Sequence, residues 1–271
     1  MSTTSPSWEL PEVIWETMEP LLPVLHAQRG RPRSVDLKRI AAGIFFVLRT
    51  GIQWHALPRE RFGPASTVYY YVRQWEEAGV FEEVWARALD AYDEQVGLDW
   101  TWQSIDGCMT NAPLGGEMTG PNPTDRAKSG TKRSVHTDGG GIPSGLVVAG
   151  ANRPDLTLLA DTLAATVIER PVPTAAESQH LCLDGGYDTA PCRQTVQDAG
   201  YIAHIRSRND ERAAKHAGNG DKTRRCVVER VLSWINRFRK LLVRSEKLTG
   251  THYALLCFAC AYIAFKRADL I

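Results

Sequence analysis

From the N-terminus onward, the chain repeats apolar residues at helical spacing. Val13, Ile14, Met18, Leu21 and Leu22 fall between Pro11, which can open a helix, and Pro23, which stops it. Leu37, Ile40, Ala41, Ile44, Phe45 and Leu48 form a second stripe, predicting a helix over residues 36–49 that Gly51 breaks. The stretch 54–64 holds two prolines and a glycine and reads as loop. Ser66 or Thr67 can cap a helix running to residues 75–78; Gly79 ends it, and residues 81–96 form another. Both a helix-turn-helix and a plain helical bundle satisfy this pattern. In the first case Ser66, Thr67, Tyr70 and Arg73 would face DNA.

After Trp100 the period changes. Residues 102–106 read as a short strand, and 110–131, rich in Gly, Pro, Asn and Thr, as a long loop. Residues 134–137 and 146–149 are predicted strands joined through the turn at Asp138-Gly-Gly-Gly141. A helix over 156–169 follows, with Asp155 able to cap it. Residues 180–183 form an apolar strand ending at Asp184-Gly-Gly-Tyr-Asp188. A helix over 189–199, a strand over 201–206, a polar loop over 207–221 and a long helix over 222–243 complete the order. Three antiparallel strands followed by βα crossovers imply a five-stranded mixed sheet with helices on both faces. The boundaries expected are a helical region over 8–96 and an α/β domain over 100–266.

Composition adds little until it is read by segment. The chain is 43% hydrophobic and 23% charged, with a formal net charge of +1, an ordinary globular balance. Residues 201–247, however, carry thirteen basic against five acidic side chains. A polyanion-binding surface and a solvated helix face both fit that excess. The polar opening has no signal-peptide core, so the six cysteines are expected to be reduced. Cys257 and Cys260 lie in the apolar run 254–265, which is too short to span a bilayer and reads as a buried helix. The seven histidines show no metal-ligand spacing.

Phosphodiester chemistry with two divalent cations needs hard carboxylates from separate elements, converging at one end of a sheet. Asp106 on the first strand, Asp184 at the end of the fourth and Glu229 on the last long helix suit that demand. Each has an ordinary alternative: turns and caps for the aspartates, and an i,i+4 pair with Arg225 for Glu229. The long helix segregates its faces. Val228, Val231, Ile235, Phe238 and Leu242 form an apolar stripe, while Arg225, Glu229, Ser233, Asn236, Arg237 and Lys240 form a polar one. Arg and Lys around a lone acid suit contacts to a phosphate backbone.

Several stretches together resemble a known family. They are Asp106-Gly-Cys-Met-Thr-Asn-Ala-Pro113, Gly120-Pro-Asn-Pro-Thr-Asp125, Ser129-Gly-Thr-Lys-Arg-Ser134, Gly150-Ala-Asn-Arg-Pro-Asp155, Leu183-Asp-Gly-Gly-Tyr-Asp188 and the helix from Arg225 to Leu242. They resemble DDE transposases of bacterial insertion sequences over nearly the whole chain, residues 8–265. The resemblance implies a ribonuclease H-like catalytic domain behind a short helical DNA-binding region. It implies two Mg²⁺ ions, with Mn²⁺ able to substitute, held by Asp106, Asp184 and Glu229, and Arg225 as the partner four residues before the glutamate. Double-stranded DNA, both element ends and target, is the implied partner, handled by a homodimer or higher oligomer in the bacterial cytoplasm. Gly185 and Lys222 depart from what relatives carry, which bears on auxiliary DNA contacts and not on the metal ligands. Lys128, Lys132 and Arg133 are expected on a loop, and both contact with DNA and a merely flexible basic loop fit them. A nuclease of the same fold without joining activity, and a DNA-binding regulator with a vestigial site, are the alternatives.

Overall fold

A computed structural model describes residues 7–24, 35–205 and 226–271. Its N-terminal part is helical as the spacing predicts. Helix α1 spans Glu12–Met18, and α2 spans Leu37–Thr50. Asp36 caps α2 by accepting the Arg39 N–H at 3.0 Å. Gly51 closes it at φ 72°, where an added Cβ would stand 2.9 Å from the Arg239 side chain, so only glycine fits. The stretch read as loop contains a 3-10 turn, Trp54–Ala56, and the short α3, Arg59–Phe62. Helix α4, Ala65–Glu77, starts at Pro64 without a side-chain cap, so Ser66 and Thr67 sit inside its first turn instead of capping it. Proline's fixed φ supplies the entry. Helix α5 spans Val80–Gln95. The sequence Arg29-Gly-Arg-Pro-Arg33, which reads as a basic turn, lies outside the described residues.

The sheet follows in the expected order. Its strands are β1 Trp102–Asn111, β2 Gly120–Pro121, β3 Ser129–Thr137, β4 Pro143–Gly150, β5 His180–Leu183 and β6 Ile202–Ile205. Of these, β1, β3 and β4 are longer than expected. The predicted loop over 110–131 is thus partly strand. Polar residues hide the period there, but the β1–β3 ladder runs on to Asn111 opposite Gly130 and satisfies their backbone. β2 extends the β4 edge of β3 and makes a sixth strand in place of the expected five. The main order is β4-β3-β1-β5-β6, with β3 antiparallel to β1 and β4, and β5 parallel to β1 and β6. This is a ribonuclease H-like arrangement.

Two helices are shorter than the sequence suggests. A 3-10 turn at Asp155–Leu158 leads into α6, Leu159–Ala164, and the chain then leaves the helix because Val167 donates its N–H to Ser144 and Thr166 bridges Gly145. Helix α7 spans Ala190–Asp198 under a Thr189 cap. The last basic helix is broken into α8, Cys226–Ile235, and α9, Arg239–Leu242. Phe238 takes an extended ψ of 103°, and Val243 joins the end of β1 at Asn111. That break turns Leu241 inward and leaves Leu242 51% exposed, where an unbroken stripe would bury it.

Helix α10, Thr249–Arg267, carries the apolar run, with Cys257 and Cys260 fully buried as packing residues. It packs against α4 and α5 on one side and β4 and α8 on another. One hydrophobic cluster therefore takes residues from both parts of the chain, from Ile14 to Phe265. A second cluster around Ile105, Leu181, Leu183 and Tyr187 closes the opposite sheet face. Among the described residues no helix is long and apolar enough to cross a membrane.

Candidate active site

The β1–β5 register brings two aspartates together. Trp102 pairs with His180 and Ser104 with Cys182, in parallel. Asp106 follows Ser104 by two residues within β1, and Asp184 follows Cys182 by two, one residue past the end of β5, so the register continued would set them level. Asp184 keeps an extended backbone, φ −77° and ψ 168°. Strand spacing is about 4.8 Å, and side chains alternate, so both project from the face that carries Ser104 and Cys182. Each is partly exposed. Asp106 accepts the Gly107 N–H at 2.7 Å, and Asp184 that of Gly186 at 2.8 Å. The second bond caps the 3-10 turn Gly185–Tyr187, which is why a strand end can hold an acid outward there.

Helix α8 covers that same face. Asp106 stands opposite Val135, which is buried with Val228 and Val231. The helix runs in the direction of β1, from Arg230, bound to the Gly140 carbonyl, towards Asn236, whose Oδ1 accepts Arg133 at 2.8 Å. Arg133 is level with Cys108. Glu229 precedes Asn236 by seven residues on the same flank, about 10.5 Å of helix. That equals about three strand residues, so Glu229 lies near the level of Ile105 and Asp106. It is exposed. Hard oxygen donors on adjacent strands suit a magnesium-class ion. Among the described residues, however, no three His, Cys, Asp or Glu side chains are gathered closely enough to hold one metal ion. Asp106 and Asp184 each stand two residues beyond a paired position of β1 and β5, and Glu229 is not gathered with them into one such group among the described residues.

Behind Asp106 lies a fourth carboxylate that sequence reasoning took for a helix cap. Asp155 accepts Lys132 Nζ at 2.9 Å and sits against Gly107, where any side chain would collide with it. The absence of a Cβ at Gly107 is what lets the ion pair approach the strand. Tyr187 is 1% exposed, and its hydroxyl has no hydrogen-bond partner among the described residues. Burial pushes the Tyr187 phenol up, and Asp155, Asp106 and Asp184 push it further. The signal available in sequence was the Gly150–Asp155 stretch, whose partner across the sheet could not be read locally.

The remaining sequence-predicted residues divide sharply. Lys132 and Arg133 are on β3, not on a loop, and both are buried. The ladder between β1 and β4 takes them inside. Lys240 is also buried, with Nζ 2.9 Å from Glu246, and Asn236 is engaged by Arg133. These four side chains face protein partners. Lys128 is exposed and pairs with Asp125, and Arg237 is exposed. On α4, Tyr70 is 53% exposed and Thr67 half-buried, while Arg73 lies between Glu76 and Glu77. Arg225 and Lys222 lie outside the described residues.

The sheet order defines a ribonuclease H-like domain. Comparison with known proteins narrows that class. Residues 103–264 match the family model "Transposase DDE domain", and residues 10–85 match "Putative transposase of IS4/5 family". The chain belongs to the DDE transposases of insertion sequences, and it is an enzyme that cleaves and transfers DNA strands. A Burkholderia cepacia protein, "Putative transposase for insertion sequence element IS402", is 34% identical over 167 residues, covering 57% of this chain and 74% of that one. A second protein of the same element, of 16.2 kDa, is 31% identical over 114 residues, covering 41% and 78%. Among solved structures, the Mos1 mariner paired-end complex with Mn aligns at a TM-score of 0.27 and 11% identity, over 85% of each chain. The family carries dependence on a divalent metal.

Proposed function

We propose that Asp106 and Asp184 hold two Mg²⁺ ions, with Glu229 completing one site and Mn²⁺ able to substitute. The observation that carries this reading is the parallel β1–β5 register, which, continued two residues past Ser104 and Cys182, brings Asp106 and Asp184 level on one face. Both carboxylates are partly exposed, and each accepts one backbone N–H, from Gly107 and from Gly186. The ions supply activation of the attacking oxygen and stabilisation of the leaving one. Glu229, on the exposed flank of α8, approaches from above the same face. The Lys132–Asp155 pair lies on the other sheet face, with Asp155 against Gly107, the residue after Asp106.

The substrate is double-stranded DNA, first at the ends of the element and then at the target. A freed 3′-hydroxyl attacks the target phosphate, so no tyrosine or serine need act as a nucleophile. Arg237 is exposed to meet phosphates, Lys128 would do so by exchanging its exposed pair with Asp125, and Thr67 and Tyr70 lie on the helical region proposed, over residues 8–96, to bind the ends. The working form is a homodimer or higher oligomer on DNA in the bacterial cytoplasm.

Purified protein on end-containing duplex with Mg²⁺ tests the reading. Asp184→Ala should abolish both cleavage and joining while retaining DNA binding, and Asp106→Ala should match it. Strand transfer by Asp184→Ala at the wild-type rate would sink the metal assignment.

A further inference from the structure

On the flank of α8 away from Glu229, a groove of about 350 Å³ opens between the end of α2, the residues after α8 and the last turns of α10. Four cations line it: Arg49, Arg237, Lys266 and Arg267, against one acid, Asp269. None of the four makes an ion pair among the described residues. Aromatic rings lie beside three of them, and Arg49 also donates its Nε–H to the Ser7 carbonyl at 2.8 Å. Arg49 lies 4.9 Å from the Phe238 ring and 5.1 Å from that of Tyr262; Lys266 lies 5.9 Å from Tyr262. Arg267 lies 5.5 Å from the Trp234 ring, which Arg230 also approaches, at 5.4 Å.

A ring fixes the position of a cation without neutralising it. Placing unneutralised charges from three elements side by side raises the local potential, which favours a polyanion. The dipole of α10 suits Lys266 and Arg267 at its C-terminus but does not account for Arg237 beside them. The rings are already covered by cations, so they offer no free face for base stacking. The groove is also too small to enclose a duplex. We propose that it grips the sugar–phosphate backbone of duplex DNA, independently of base sequence and outside the cleavage site. This rests on the transposase reading only for the identity of the polyanion.

The test uses full-length Asp184→Ala protein and a random-sequence duplex, without metal, titrated by fluorescence anisotropy from about 50 to 200 mM salt. Lys266→Gln/Arg267→Gln should flatten the slope of log K against log salt by about two, one for each lost phosphate contact. Each single substitution should flatten it by about one, which keeps the test open if the pair fails to fold. Lys266→Arg/Arg267→Lys should keep the slope. An unchanged slope in a folded variant overturns the proposal. So does a variant that binds DNA normally but loses self-association in sedimentation, since the groove would then join two copies of the chain. Cleavage is not measured, so loss of the metal assignment would leave this result standing.

Discussion

Two groups of basic side chains lie close together and behave as opposites. Arg133, Lys240 and Arg244 are buried, 5% exposed or less. Arg49, Arg237, Lys266 and Arg267 line an open groove. The buried group spends its donors internally. Arg244 reaches the carbonyls of Glu246 at 3.0 Å and Met118 at 3.3 Å, and the hydroxyl of Thr131 at 3.0 Å. Arg133 holds Asn236, and Lys240 holds Ser245 and Glu246. These bonds tie the tail of the basic segment to β3 and to the loop before it. A count of basic residues therefore measures neither DNA affinity nor stability; what each cation faces decides which of the two it serves.

The largest expected effect tests the buried group. Lys240→Met removes the counterion of a buried carboxylate, and the loss should be about 3–5 kcal/mol of unfolding free energy, read by urea denaturation. Lys240→Met/Glu246→Leu should recover much of that, because no uncompensated charge remains. A cost below about 1 kcal/mol for the single variant would mean that the inner cluster is not what anchors the segment.

Acid should act on the same cluster. His252 is buried with neither ring nitrogen bonded among the described residues. Burial lowers its pKa first, and Arg244, Arg133 and Lys240 lower it further. His136, among Arg170, Ser144 and Thr166, is lowered by burial from 6.5 to about 3. Both are neutral in the folded chain and protonate in the unfolded one below pH 6.5. Stability is therefore full above that pH and declines as pH falls, down to the folded pKa. Each contributes about 1.4 kcal/mol per pH unit. Urea midpoints at pH 7.5 and 5.5 should differ accordingly, and His252→Leu should remove about half of the difference.

Much of this was legible in the sequence wherever the cause is local. Asp36 and Gly51 bracket α2 through their own backbone chemistry, and the apolar run at residues 180–183 matches β5. Asp106 and Asp184 could be paired once the strand order was right, because parallel register carries their level. What stayed hidden depends on distant partners. Polar Thr110 and Asn111 read as loop because their ladder partners lie about twenty residues on. Asp155 resembled a cap until Lys132 met it across the sheet. The continuous stripe through Phe238 gave no sign that Asn236 would be drawn to Arg133 and the helix broken there. Lys240 and Arg237 sit three residues apart, of similar charge, yet one faces Glu246 and the other solvent.

The smallest expected effect is the most searching. Lys266→Gln/Arg267→Gln should leave unfolding free energy within about 0.5 kcal/mol of the parent, because exposed cations without carboxylate partners contribute little to folding. The rings beneath them lose a cation–π contact worth roughly 0.5–1 kcal/mol at an exposed site, offset by relief of repulsion among four like charges. Urea denaturation at low and high salt separates these opposing effects. If repulsion matters, the parent gains more stability from added salt than the variant does. A loss above about 1 kcal/mol at every salt concentration would mean that the groove cations hold the fold as the buried ones do. The distinction between inner and outer charge would then fail, and with it the reason for reading the outer set as a surface kept for DNA.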